Sequence, residues 1–101
     1  MQDKYKELTD KLAVILQEKN QAYNNSFDKT IEKWGNAPIG IRLDDKINRI
    51  DSMLKVNDLS KNDESLIDNL FDLAGYSILA INNLRNRDLV TDADKEKYFN
   101  D

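Results

Sequence analysis

Three acidic residues recur at intervals of four in the second half of the chain. Glu64, Asp68 and Asp72 lie in a segment with helical periodicity, so their carboxylates share one face of a helix. Each like-charge step costs about 0.2–0.5 kcal/mol in an isolated helix, so the repetition is locally unfavourable. Carboxylate oxygens are the ligands that Mg²⁺ prefers in proteins. The spacing therefore predicts a magnesium site, and the alternative is a network of ion pairs between helices.

Three cations share one face of the preceding predicted helix. Arg42, Lys46 and Arg49 fall within about 60° of each other on a helical wheel. Arg binds phosphate through a planar fork, and Lys binds it as a point charge. The pattern predicts contacts with phosphate. The neighbouring acids Asp44 and Asp45 also allow a solvent-facing surface of ion pairs along the helix.

Gly75 and Tyr76 follow the acidic face directly. A glycine inside a helix costs about 1 kcal/mol relative to alanine, so Gly75 indicates close approach of a ligand or of a neighbouring helix. Tyr76 lies off the apolar arc of its helix, and we expect it to contact a nucleotide base. Tyr23, Phe27 and Trp34 are weaker candidates for stacking, because aromatic residues at helical spacing more often belong to the core.

The elements that must position these residues are helices, because the chain has only one proline and three glycines. Periodicity predicts helices over about 3–24, 26–34, 38–54, 63–84 and 92–99. Ser26, Ser60 paired with Asp63, and Thr91 are the predicted helix caps, and Gly35 is a predicted stop. The fold class is all-α. We expect a compact bundle of three main helices plus two short helices, forming a single helical domain over residues 1–101.

Two apolar faces bear on how this bundle packs. In the first helix, Tyr5, Leu8, Leu12, Ile15 and Leu16 keep the spacing of one buried face. In the fourth helix, apolar residues cover about half of the wheel, which is more than a peripheral helix buries. The fourth helix is therefore predicted to be either central to the bundle or part of a homo-oligomer interface.

Composition excludes several classes of chemistry. The chain has no Cys and no His, which removes thiolate nucleophiles, disulfides and the usual acid–base residue at neutral pH. The formal net charge of −4 argues against a bulk nucleic-acid binder. The longest apolar run is too short to span a membrane, and the first residues lack the apolar segment of a signal peptide. We expect a cytoplasmic protein with no membrane partner.

Three short motifs combine the charged residues described above. They are Asp45-Lys46-x-x-Arg49, Asp63-Glu64-Ser65 and Asp68-x-x-x-Asp72-Leu73-Ala74-x-Tyr76, and Tyr23 and Phe27 lie upstream of them. With them the chain resembles, over roughly residues 18–84, the bacteriophage and prophage family called nucleotide modification associated domain 1. The resemblance implies a link to nucleotides and, for a phage-encoded protein, the cytoplasm of a bacterial host.

A looser similarity is to the all-α NTP pyrophosphatases of the MazG and dimeric dUTPase type. Those are magnesium-dependent helical oligomers with E-x-x-E and E-x-x-D motifs on neighbouring helices. In this chain the acidic spacing is four, and Arg42, Lys46 and Arg49 stand where the first motif is expected.

Three functions are open from the sequence. The favoured one is binding of a nucleotide or another phosphorylated small molecule, with Mg²⁺ as a candidate cofactor, in a groove between the third and fourth helices. The second is magnesium-dependent nucleotide pyrophosphohydrolysis, in which a bound metal would activate water. The third is a non-enzymatic interaction module that binds a protein through the wide apolar arc of the fourth helix.

Overall fold

Five helices make up most of the chain. The computed structural model describes residues 3–22, 24–62 and 64–100. The helices are α1 (Lys4–Ala22), α2 (Ser26–Trp34), α3 (Ala37–Leu54), α4 (Leu66–Asn86) and α5 (Asp92–Tyr98). A short 3₁₀ turn, Leu59–Lys61, lies between α3 and α4. No strand occurs in the described ranges, and the predicted all-α bundle of three main and two short helices is confirmed.

Both ends of α2 are set by residues with a positive φ angle. Gly35 ends the helix at φ 80°, and its N–H donates to the carbonyl of Ile31, as predicted for a glycine stop. The prediction that Ser26 is the N-cap is wrong. Asn25 takes that position at φ 61°, without a side-chain capping bond, and Ser26 is already helical. Asn tolerates this conformation better than most residues, which lets the chain turn sharply out of α1.

The start of α4 also differs from the prediction. Ser65 caps this helix, because its Oγ accepts a hydrogen bond from the Asp68 N–H at 3.1 Å. Ser60 is not a cap of α4; it lies in the 3₁₀ turn, where its N–H donates to the Asp58 carboxylate. Asp63, the other residue of the predicted capping pair, lies outside the described residues.

The starts of α3 and α5 agree with expectation. Pro38 lies in the first turn of α3, where its missing N–H has no helical partner to lose. Thr91 caps α5 by accepting a hydrogen bond from the Asp94 N–H.

An antiparallel pair, α3 and α4, is the centre of the fold. Three contacts follow the pair from one end to the other: Arg87 with Asn36, Lys46 with Asp72, and Asn69 with Met53. Ile50 and Met53 of α3 are buried, and so is Ala80 of α4. Ile31 of α2 adds the most deeply buried apolar side chain.

The first helix packs on α4 only over its second half. Gly75 admits α1 at this point, because a Cβ added there would lie 3.1 Å from Leu16 Cδ2. Nearer the N-terminus the same apolar face is left open, and Tyr5 is 80% exposed. The prediction that this face is buried along its length is therefore wrong. The apolar face of α1 extends beyond the part of α4 on which it packs, and no residue of α1 is fully buried.

Candidate functional site

A cavity of about 300 Å³ lies where α1, α2, α3 and α4 meet. Its wall combines apolar and polar side chains. The apolar lining residues are Leu12, Ile15, Leu16, Phe27, Phe71, Gly75 and Leu79, and the polar ones are Lys19, Asn20, Ser26, Thr30, Arg42, Lys46, Asp72 and Tyr76. The predicted groove between α3 and α4 is thus closed on its other sides by α1 and α2.

The Asp72 carboxylate contacts two lysines at the wall of this cavity. Its Oδ1 accepts from Lys19 Nζ at 2.9 Å, and its Oδ2 lies 3.4 Å from Lys46 Nζ. Partial burial of the Asp72 carboxyl raises its pKa, but the hydrogen bond and charge of Lys19 and the charge of Lys46 outweigh it. The pKa of Asp72 is therefore lowered from its ordinary value. The carboxylate stays ionised and joins α1, α3 and α4.

Lys46 and Arg42 differ in whether an ion pair engages their charges. The Lys46 side chain is only 14% exposed and is committed to Asp72. Arg42 lies one helical turn earlier, is exposed, and lines the same cavity. Within residues 3–22, 24–62 and 64–100, Arg42 has no ion-pair partner. Its guanidinium donors therefore remain available to a ligand that enters the cavity.

Two aromatic rings form part of the wall. The Phe27 ring of α2 and the Tyr76 ring of α4 lie 5.7 Å apart between centroids, tilted by 44°. Both residues are half-buried, and both line the cavity. Trp34 lies elsewhere, exposed to solvent at the end of α2. Tyr23 lies outside the described residues.

The structure brings together only part of the predicted site. Arg42, Lys46 and Tyr76 line the cavity, and Asp72 joins them there. Arg49 is not a lining residue. Its guanidinium lies 3.7 Å from Asp45 of its own helix and 4.0 Å from Glu64. Such exposed pairs contribute little to stability, so this end of the groove is an ordinary surface ion network.

The three predicted metal ligands are separated by their contacts. Glu64 faces Arg49, Asp68 is exposed, and Asp72 holds its two lysines. Within the described part of the chain, no group of three or more acidic side chains is placed to hold a metal ion. The carboxylates of Glu64, Asp68 and Asp72 are therefore not arranged to bind Mg²⁺ together.

Lys19 is a residue of the candidate site that the sequence analysis did not predict. It lies 53 residues before the carboxylate that it contacts, so no local pattern links the two. One signal was present in the sequence. Lys19 stands three and four residues after Leu16 and Ile15, on the apolar face of α1. A cation on an otherwise apolar face indicates a carboxylate opposite it.

Comparison with known proteins gives no match: no protein-family model fits the chain, and no curated protein or solved structure is significantly similar to it. The resemblance to the nucleotide modification associated family therefore stays a prediction. Among the described helices, none combines the length and the apolar character needed to cross a membrane.

Proposed function

We propose that the chain binds a nucleotide or a related phosphorylated small molecule in the cavity between α1, α2, α3 and α4. One observation carries the proposal: Arg42, Lys46 and the Phe27–Tyr76 ring pair line one cavity. Small-molecule sites are concave, mostly apolar, and supplied with a few polar groups that fix orientation. This cavity is concave and has a larger polar share than that, with three cations (Lys19, Arg42 and Lys46) and one carboxylate (Asp72), which suits an anionic ligand.

The proposed ligand fits the cavity in size and chemistry. Its volume of about 300 Å³ is at the lower end of the range of about 300–1,000 Å³ for small-molecule sites. A nucleoside or nucleoside monophosphate suits that space better than a dinucleotide. The phosphate would contact Arg42 first and then share Lys46 with Asp72. The base would pack against Phe27 and Tyr76 in the apolar part of the cavity.

Binding is better supported than turnover. Pyrophosphohydrolysis of the proposed type depends on carboxylates that assemble around a metal, and in the described residues the three candidate acids make separate contacts. The lysines on Asp72 instead favour capture of an anion, since a phosphate can replace the carboxylate as their partner.

A thermal-shift screen tests the proposal. The panel is nucleoside mono-, di- and triphosphates, cyclic nucleotides and inorganic phosphate, each with Mg²⁺ and with EDTA. A ligand present at 100 times its Kd stabilises the folded state by about 2.7 kcal/mol, which is a rise in Tm of roughly 10–20 °C for a domain of this size. We expect such a shift in EDTA as well as in Mg²⁺. No shift with any member at millimolar concentration would contradict the proposal.

Two aromatic variants define the base site. Tyr76→Leu removes a ring from the cavity wall, and we expect it to weaken nucleotide binding more than binding of inorganic phosphate. Trp34→Leu removes an exposed ring outside the cavity and is the matched control. Equal effects of the two variants on nucleotide binding would show that the base does not pack on the Phe27–Tyr76 pair.

A further inference from the structure

A stripe of apolar residues on α4 is exposed to solvent, and its C-terminal members Ile78 and Ile81 also border a groove shared with Leu16 of α1. Its members are Ile67, Leu70, Ala74, Ile78 and Ile81, which fall within about 80° of each other on a helical wheel. We call this stripe the outer face of α4. The four large side chains are exposed, Ile67 to 60%. The side of α4 that packs on α3 instead buries Asn69, Ala80 and Asn83.

The chain exposes more surface than a monomer of its mass normally does. Its accessible surface is 8083 Å². Folded monomers of 11.7 kDa expose about 5,900 Å². Obligate dimers bury about 1,000–2,500 Å² from each partner. The excess of roughly 2,000 Å² therefore matches what one copy contributes to a stable dimer. Its radius of gyration of 15.6 Å likewise exceeds the about 13 Å expected of a compact 100-residue domain.

The outer face is symmetric about its centre. Ile67 lies seven residues before Ala74, and Ile81 lies seven residues after it. Leu70 and Ile78 each lie four residues from Ala74. A two-fold axis at Ala74 would therefore set Ile67 against the second copy's equivalent of Ile81, and Leu70 against that of Ile78. The small side chain at the centre lets two helix backbones approach closely. A self-complementary patch of this kind is what a two-fold interface requires.

We propose that two copies of this chain pair through the outer face of α4, with the two helices antiparallel and the two-fold axis at Ala74. The area excess leaves room for a partner of dimer size, and the palindromic stripe favours a second copy over an unrelated protein, because an unrelated partner needs no internal symmetry in the stripe. The cavity opens between α1, α2, α3 and α4, so dimer formation and ligand binding are separate properties.

The mass of the chain in solution is the first test. Sedimentation equilibrium of the wild-type chain should give twice 11.7 kDa at micromolar concentration. Ile78→Glu places a charge on the outer face and should give a monomer. Ile47→Glu is the matched control, because Ile47 of α3 is 50% exposed and Ile78 is 47% exposed. This control should stay dimeric. A wild-type monomer at all concentrations would overturn the proposal, as would a dimer broken by Ile47→Glu but not by Ile78→Glu.

A charge pair tests the register. Leu70→Glu and Ile78→Lys each place a charge against an apolar residue of the second copy, and each should weaken the dimer by at least tenfold. The double variant sets the carboxylate introduced at position 70 opposite the ammonium introduced at position 78 of the other copy. The pair forms twice in the dimer, and it should recover most of the lost affinity. Within one chain the two positions are eight residues apart, too far to pair along the helix. Failure of the double variant to recover, while both single variants stay folded by circular dichroism, would exclude the antiparallel register.

Cross-linking tests the position of the axis. The chain contains no cysteine, so Ala74→Cys introduces its only thiol. Two Cα atoms that face each other across a close helix crossing are within reach of a disulfide. Mild oxidation should convert most of this variant to a covalent dimer, whereas Ile47→Cys should remain uncoupled. Equal coupling of both variants, or none at position 74, would contradict an axis at Ala74.

Discussion

The two sides of α4 differ in how their polar and apolar residues are placed. The side toward α3 buries Asn69 and Asn83 along with Ala80 and half-buries Asp72, whereas the outer face exposes isoleucine and leucine. The polar groups of the inner side have partners. The outer face is apolar and exposed, although Ile78 and Ile81 border a groove toward α1. The proposed dimer accounts for this difference, since a second copy would cover the outer face whereas the inner side is paired within one chain.

Hydrogen bonds explain why polar residues can be buried on the inner side of α4. Asn83 Nδ2 donates to the Asp28 carboxylate at 2.8 Å, and Asn83 Oδ1 accepts from Arg87 Nε at 2.8 Å. Asn69 Nδ2 donates to the Ser65 carbonyl at 2.9 Å. Within the described residues, no buried side-chain nitrogen or oxygen is left without a partner. A buried polar group that keeps its hydrogen bonds costs little, and one that loses them costs its full desolvation.

The largest expected effect is on the inner side. Asn83→Ala removes the acceptor of Arg87 and the donor to Asp28, and both partners are charged. We expect a loss of about 2–3 kcal/mol in the free energy of unfolding, measured by urea denaturation. Asn86→Ala, at an exposed position at the end of the same helix, should change it by less than about 0.5 kcal/mol. Equal effects would mean that the buried amide network does not stabilise the fold.

The outer face should make stability depend on concentration. If folding and pairing are coupled, a tenfold rise in protein concentration stabilises the dimer by about 1.4 kcal/mol through mass action. The thermal midpoint of the wild-type chain should therefore rise with concentration, and that of Ile78→Glu should not. A midpoint that is independent of concentration in the wild-type chain would show that the outer face is uncovered in the folded state.

A smaller effect is expected at Asp72, and it depends on pH. Asp72→Asn removes the partner of Lys19 and Lys46, at a cost of about 1 kcal/mol at pH 7 for a partly exposed pair. Because the folded-state pKa of Asp72 is lowered, its contribution is complete above the unfolded pKa of about 3.9. It is lost as the pH falls through the folded pKa.

The stability of the wild-type and Asp72→Asn chains should therefore converge in acid. Urea denaturation between pH 7 and pH 2.5 measures this, with Asp68→Asn, at an exposed position of the same helix, as control. A difference that persists unchanged at the acid end would show that the loss comes from packing and not from the charge of Asp72.

The smallest effect is expected at Gly75, where α1 crosses α4. Alanine is favoured over glycine inside a helix by about 1 kcal/mol. The added Cβ would lie 3.1 Å from Leu16 Cδ2, but that methyl group borders the cavity and can shift by a few tenths of an ångström. We expect Gly75→Ala to stabilise the chain by up to about 0.5 kcal/mol. A destabilised variant would show that Leu16 is fixed and that Gly75 is required for the crossing.

Sequence patterns predicted those parts of the molecule that depend on residues close in the chain. Gly35, Thr91 and the α3 stripe of cations follow local rules, and the helices appear within a few residues of their predicted bounds. The contact between Lys46 and Asp72 agrees with the alternative prediction of an ion-pair network between helices.

Packing between helices that are distant in the chain determines the remaining side-chain placements. Arg49 shares its wheel position with Arg42 but lies nearly two turns further along α3, beside Glu64 and away from the cavity. Tyr5 carries the right periodicity for a buried face, yet α1 extends past its neighbour there. Lys19 approaches Asp72 only because α1 crosses α4 at Gly75. None of these placements follows from spacing within one helix.

Calorimetric titration with the nucleotide that gives the largest thermal shift tests the proposed binding site most directly. The titration compares the wild-type chain with Arg42→Ala, at the cavity wall, and Arg49→Ala, on the same helix outside it. Loss of one charge-assisted hydrogen bond costs about 1.5–3 kcal/mol. Arg42→Ala should therefore bind at least tenfold more weakly than the wild-type chain, and Arg49→Ala should bind within twofold of it. Equal weakening in both variants, or an unchanged Kd in Arg42→Ala, would contradict a phosphate site in the cavity.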